Sequence, residues 1–305
     1  MRCFRHLRHI TRCLPLLLLL ATTGTGFATD SCLQDEAPEG AAPIPCVGDV
    51  ERLQDLYIQP GESDTDARAR IELMAQFGRI DATRALAFFY LCGIGGEQDE
   101  AKGLELLTYA AEEGFAWAQM DLGILMQMTG NDEESRTEAL RWYEAAADNP
   151  ESTEYLRSAA CIAAGTLYEY AGNGQNLDKA LVWYEKSGSP DGLFHRAALY
   201  AHNPSLDGAA AKAAALFEEA AQQGMRQAFA QLANLAIMRH GEHDAYIRGF
   251  AWFTLALETA WSDEKPVLEQ ELSALRERMS PADIRKGEEF AAAWKNAHPE
   301  AFIPQ

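Results

Sequence analysis

Histidine, cysteine and carboxylate side chains come close together at few places in this chain, and His240-Gly-Glu242-His243-Asp244 is the one run whose residue types suit a metal ion. Zinc in proteins is held by three or four nitrogen, sulfur or carboxylate ligands, and no third His or Cys stands near this pair in sequence. The run carries Gly241 between two helical patterns, and it reads as a solvated inter-helix loop. His195 and His202 are seven residues apart, two turns of one helix, so they share a face and read as polar groove lining rather than as metal ligands. Gly-x-Ser-x-Gly, a phosphate-binding loop, His-Glu-x-x-His and a dinucleotide fingerprint are all missing from the sequence. The acid runs Glu112-Glu113, Asp132-Glu133-Glu134 and Glu218-Glu219 fall near helix ends or on exposed faces and read as solvated charges. The residues that do chemistry elsewhere therefore point here to neither catalytic residues nor a metal or cofactor, and to binding instead.

Charge narrows the binding. Lys plus Arg number 26 against 46 Asp plus Glu, a formal net charge of −20. Nucleic-acid affinity depends on cationic neutralisation of phosphates, so this balance excludes that class of partner. The acidity suits solubility, or a docking surface for a basic protein. Residues 1–28 have the layout of a secretory signal: Arg2, Arg5, Arg8 and Arg12, an apolar run from Leu14 to Ala21, and small residues at Gly26 and Ala28 for cleavage near Ala28. The run is too short for a stable membrane span. Four basic and no acidic residues lie within it, so the remainder carries −24. A periplasmic or secreted protein is expected, without stable membrane insertion once the signal is removed. Such a compartment permits disulfides, and Cys32 with Cys46 is the candidate pair. Cys92 and Cys161 fall in helical segments, where a buried free thiol is at least as reasonable as a bridge.

The elements that must position any binding surface are visible as repetition. A helical phrase, Ala180-Leu-Val-Trp183-Tyr184-Glu-Lys186, recurs in degenerate form from Gly103, Ala139, Ala213 and Gly249, at spacings of 36, 41, 33 and 36 residues. A period in that range marks one supersecondary unit too small to bury its own apolar face, and so obliged to stack on its neighbours. Each unit reads as helix, loop, helix. First helices carry a small residue at Ala87, Gly123, Gly165, Ala198 and Ala233, which lets two backbones approach. Second helices carry an adjacent pair of large apolar residues, Leu106-Leu107, Trp142-Tyr143, Trp183-Tyr184, Leu216-Phe217 and Trp252-Phe253, giving a wide apolar stripe. Ser63-x-x-Asp66 caps a preceding half-repeat helix that ends at Gly78, and Ser135-x-x-Glu138 is expected to cap a second helix. Beyond Trp261 the spacing predicts one helix from Pro266 to Arg278 and another opened by Ser280-Pro281 and containing Trp294.

Tyr90-x-x-Gly93-x-Gly95-x-x-x-Asp99-x-x-Lys102-Gly103, followed by Ala110-Ala111-Glu112-Glu113-Gly114, resembles the Sel-one-like repeat (SLR), a relative of the tetratricopeptide repeat with a longer, glycine-bearing inner loop. The resemblance covers roughly residues 80–262. It weakens after the first unit, where Thr129-Gly130-Asn131-Asp132 and Asn203-Pro204 replace the glycine pair. It implies an all-α protein, a right-handed α-α superhelical solenoid of about five helix pairs with helical caps at both ends. The expected division is 1–28 signal, 29–62 acidic and Pro-rich segment, 63–262 solenoid and 263–305 C-terminal cap. In tetratricopeptide-like relatives the first helix of each pair lines the inner face, where peptides lie. Carried over, that face presents Arg84 and Phe88, then Asp121, Ile124 and Met128, then Thr166, Glu169 and Tyr170, then His195, Arg196 and His202, and last Gln231, Asn234 and Met238. The implied function is a non-catalytic protein–protein interaction scaffold whose partner is another protein or peptide. Two alternatives remain open: an extracytoplasmic enzyme or antibiotic-binding protein like cysteine-rich relatives, whose Cys pair in every repeat this chain lacks, and an immunity or effector protein docking a basic partner.

Overall fold

The computed structural model describes residues 57–129, 132–170, 176–238 and 244–303. The proposed signal, Cys32 and Cys46, and His240, Glu242 and His243 lie outside the described residues. Among the described residues every regular element is helical: α1 (Asp64–Gln76), α2 (Ile80–Cys92), α3 (Glu100–Glu112), α4 (Ala116–Thr129), α5 (Glu133–Asp148), α6 (Glu154–Glu169), α7 (Leu177–Lys186), α8 (Pro190–His202), α9 (Ala209–Gln222), α10 (Gln227–Met238), α11 (Ala245–Thr259), α12 (Lys265–Arg276), α13 (Pro281–Ala297) and a closing 3-10 turn, Pro299–Phe302. No described helix is long and apolar enough to cross a membrane.

Local chemistry sets the ends. A helix leaves its first N–H groups without partners, and a side-chain oxygen just before it supplies one. Ser63 accepts from the Asp66 N–H at 3.2 Å, Asp99 from the Lys102 N–H at 2.9 Å, Asn176 from the Lys179 N–H at 2.9 Å and Ser280 from the Asp283 N–H at 3.2 Å. The expected cap at Ser135 is corrected. Asp132 is the cap, accepting from the Ser135 N–H at 2.8 Å, so the helix opens at Glu133 and Ser135 already lies in its first turn. An aspartate satisfies the orphan donor as a serine does and adds a negative charge at the positive end of the helix. α2 stops because Gly93 turns left-handed at φ 67°, and Gly95 (φ 68°) lets the loop pass α1 so closely that a Cβ there would sit 2.1 Å from the Asp64 carbonyl oxygen.

The chain forms two compact units, divided between Ala164 and Gly165 inside α6. In each unit consecutive helices pack as pairs in the manner of an α-solenoid, α2 with α3 and α4 with α5 in the first, α8 with α9 and α10 with α11 in the second. In the first unit α1 packs on α2, as expected of a half-repeat, and Ala67, Ile71, Phe88, Phe89 and Ile94 form the core between them. A second cluster, with Ala87, Leu107, Ala118, Leu122 and Trp142, joins α2 to α5. In the second unit one apolar cluster runs from Ala197 through Phe217, Phe229, Trp252 and Leu272 to Trp294 and Ala301, so α12 and α13 cap the last pair. Cys92 is half-buried and Cys161 buried.

The small residues do what their spacing predicts. A Cβ on Gly123 would lie 2.6 Å from the Tyr143 ring, and one on Gly165 would lie 2.6 Å from the Tyr184 ring. Each glycine is the floor on which the tyrosine of its pair rests. The hydroxyls then reach one turn further along the first helix: Tyr143 donates to Gln127 Oε1 at 2.6 Å and Tyr184 to Glu169 Oε2 at 2.7 Å.

Candidate functional site

The fourteen side chains expected along one face separate into interior and surface groups. In the first unit Arg84, Phe88 and Asp121 are buried. This corrects the expectation of an open surface at these positions, and the reason is electrostatic. The Arg84 Nε donates to Asp121 Oδ2, its Nη1 donates to the Tyr57 hydroxyl at 3.0 Å, and its guanidinium lies 5.5 Å from the Phe88 ring centre and 5.7 Å from that of Trp117. Two opposite charges leave water together only when hydrogen-bonded to each other, and aromatic faces add to the stability of the cation. Burial pushes the Asp121 carboxyl up to about 6 against the pull of Arg84. Its Oδ1 has no hydrogen-bond partner among the described residues. Ile124 and Met128 are half-buried. Tyr57 was missed by the sequence reading, because it stands before the first capping signal. Its ring meets Phe89 edge-on at 6.4 Å, and its carbonyl accepts from Arg70 at 2.8 Å.

The second unit gathers five of the expected residues. Glu169, at the end of α6, is 5% exposed. It too is corrected from surface to interior: besides the Tyr184 hydroxyl it accepts a hydrogen bond from the Tyr170 hydroxyl, and His202 of α8 acts on its charge. Burial raises the pKa of the Glu169 carboxyl above the usual glutamate value, with the two tyrosines and His202 opposing. Tyr184 also meets the Thr166 hydroxyl at 3.3 Å, and its ring stacks on His195 with centres 5.1 Å apart. The two histidines thus stand on one helix, as predicted, but divide their work. His195 is packed on Tyr184, with burial lowering its pKa, whereas His202 is exposed. Arg196 is half-buried, 3.6 Å from Glu185. Tyr170 is 40% and Met238 73% exposed, Asn234 is exposed and Gln231 half-buried.

Tyr170, His202 and Met238 lie five, four and five residues beyond Gly165, Ala198 and Ala233, at or just past the C-terminal ends of their first helices. The C-terminal ends of α6, α8 and α10 therefore carry an aromatic, an imidazole and a thioether to the surface of one unit. Among the described residues no group of three or more His, Cys, Asp and Glu side chains is arranged to hold a metal ion.

Helix pairs repeating with a small-residue floor and an apolar pair opposite define this as a helical-repeat protein of the α-solenoid class. Residues 80–115, 118–150, 158–189 and 204–225 match the profile of the Sel1 repeat, so these segments are repeats of the Sel1 type. No curated protein sequence matches it. Among solved structures it is similar to a Sel1 repeat protein from Oxalobacter formigenes, at 22% identity and a TM-score of 0.48, covering 65% of this chain and 81% of that one. It is also similar to a protective antigen of uropathogenic Escherichia coli strains displaying an SLR fold, at 22% identity and a TM-score of 0.38, covering 79% of this chain. This chain spans 58% of the length of that antigen. Sel1 repeats generally mediate protein–protein interaction.

Proposed function

We propose that this protein is a non-catalytic interaction scaffold of an extracytoplasmic compartment, docking a polypeptide partner along the C-terminal ends of α6, α8 and α10. The observation that carries the reading is the exposure of Tyr170, His202 and Met238 at the C-terminal ends of three first helices, with Met238 73% exposed. An exposed methionine repacks readily against varied surfaces and a half-exposed tyrosine anchors them, a combination that suits protein contact. Export rests on the Arg-rich start and the Leu14 to Ala21 run. The docking of a basic partner is the version that the net charge of −20 favours.

The test places a photo-crosslinking amino acid at Tyr170, at Met238 and, on the exposed face of α7, at Val182 in the expressing cell. A discrete adduct from Tyr170 and Met238, with none from Val182, is expected. Adducts from Val182 alone would move the interface to another face. Turnover of a substrate by purified protein, abolished by one side-chain change, would replace the scaffold with an enzyme.

A further inference from the structure

Two carboxylates among the described residues are buried, Asp121 and Glu169, and their surroundings differ in one respect. Asp121 has its cation within the chain: Arg84 sits beside it, hydrogen-bonded to Tyr57 and flanked by the rings of Phe88 and Trp117. Glu169 has hydrogen-bond donors and aromatic rings, and no lysine or arginine among the described residues pairs with it. The groups that face it are Tyr170, the residue just past the end of α6, Tyr184 on α7 and His202 on α8, with His195 stacked behind Tyr184. An ionised carboxylate removed from water without an opposite charge costs several kcal/mol, and neutral hydroxyl donors offset only part of that.

We propose that Glu169 is the anchor for an arginine side chain of the polypeptide partner, completing in the second unit the guanidinium–carboxylate–aromatic arrangement that the first unit builds from its own Arg84. The inference rests on the interaction reading above and names the chemistry of the partner. The entrance is the exposed edge formed by Tyr170 and His202, and Tyr170 is positioned to flank the incoming guanidinium as Phe88 flanks Arg84. Guanidinium suits the place better than ammonium, because its flat, weakly hydrated face lies against rings while its edge donates to the carboxylate. The surplus of acidic residues draws such a segment in from a distance.

The experiment uses the chain from residue 29 onward to select binders from displayed random twelve-residue peptides. The best binders are then synthesised with each arginine in turn replaced by citrulline, its uncharged isostere. Binders enriched in arginine are expected. Affinity should fall about tenfold or more with citrulline at one position and by a similar factor with Glu169→Gln, because each change leaves one charge of the pair behind. The two losses should not add when combined, since either one removes the same contact. Glu169→Gln keeps one acceptor oxygen for the tyrosine hydroxyls, and its amide NH2 can donate to a hydroxyl oxygen. If it nonetheless fails to fold, Tyr170→Ala on the exposed rim replaces it in the cycle with the citrulline peptide.

Binders without excess arginine, lysine in its place, or an affinity within about twofold after Glu169→Gln would overturn the assignment, as that is within the range of an ordinary surface substitution. If such indifferent binders still crosslink at Tyr170 and Met238, the arginine assignment alone falls. If no peptide is enriched and no adduct forms, the interaction reading falls with it.

Discussion

At the scale of single residues, the informative pairs are a tyrosine and the group that receives its hydroxyl. A buried phenol left without an acceptor is costly, whereas exchanging both partners for apolar groups is close to neutral. Tyr143 and Tyr184 stand where Gln127 and Glu169 wait one turn beyond the glycine. Where that place holds Leu91, His202 or Ile237, the corresponding second-helix residue is Leu107, Phe217 or Phe253. Glu169→Leu should therefore destabilise the protein by about 1–3 kcal/mol, and adding Tyr184→Phe should recover much of the loss. Denaturant unfolding of the two single variants and the double variant checks this, and additive losses would show the hydrogen bond to be incidental. The residue types of this site were legible in the sequence, which grouped Thr166, Glu169, Tyr170, His195 and His202. Their depth was not. Depth depends on which neighbour lies above a side chain, and periodicity along one helix does not report that. The same gap placed Arg84 and Asp121, 37 residues apart, on a surface rather than against each other.

At the scale of elements, helix boundaries were the most readable feature, because caps and left-handed glycines leave fixed signatures. Ser63, Gly78, Ser280 and Pro281 stand where expected. Asp132 was passed over for Ser135 because both residues are good caps, and only the N–H that points at the side chain distinguishes them. The packing of first on second helix was equally readable from small residues facing large ones. Gly123→Ala puts a methyl group 2.6 Å from the Tyr143 ring, closer than carbon atoms pack, so the ring or the helices of that pair must shift. The expected loss is about 1–3 kcal/mol. Adding Tyr143→Leu, which removes the ring, should cost less in the Gly123→Ala background than in the wild type. Equal costs in both backgrounds would show that the ring does not rest on that glycine.

At the scale of the whole molecule, the balance of charge predicts where on the pH axis the fold is most secure. Asp121, raised to about 6, and Glu169, also raised, hold protons more tightly folded than unfolded. Their contribution is present below the unfolded carboxyl pKa and is lost as pH rises through the folded values. Self-repulsion of 46 acidic residues grows in the same direction. Asp81 and Asp132 are shifted the other way and Glu62 is lowered to about 2, so stability they supply is lost in stronger acid. Thermal melts should accordingly show a higher Tm near pH 5 than near pH 8, and Asp121→Asn should flatten the descent through about pH 6. A Tm that climbs steadily to pH 8 would contradict the argument. Repetition and charge were both readable from the sequence at this scale, since each is a sum over many residues.

The tyrosine–acceptor pairs also bear on how such a chain assembles at all. An array of similar helices, each with the same apolar stripe, offers every second helix several first helices on which it would pack almost equally well during folding. Tyr184 set against Ile237 would bury a lone hydroxyl, and Phe253 set against Glu169 would leave the carboxylate without one of its two tyrosine donors. A handful of polar contacts therefore works as a set of keyed fittings, letting the nascent chain reject the wrong neighbour before the apolar stripes close over it.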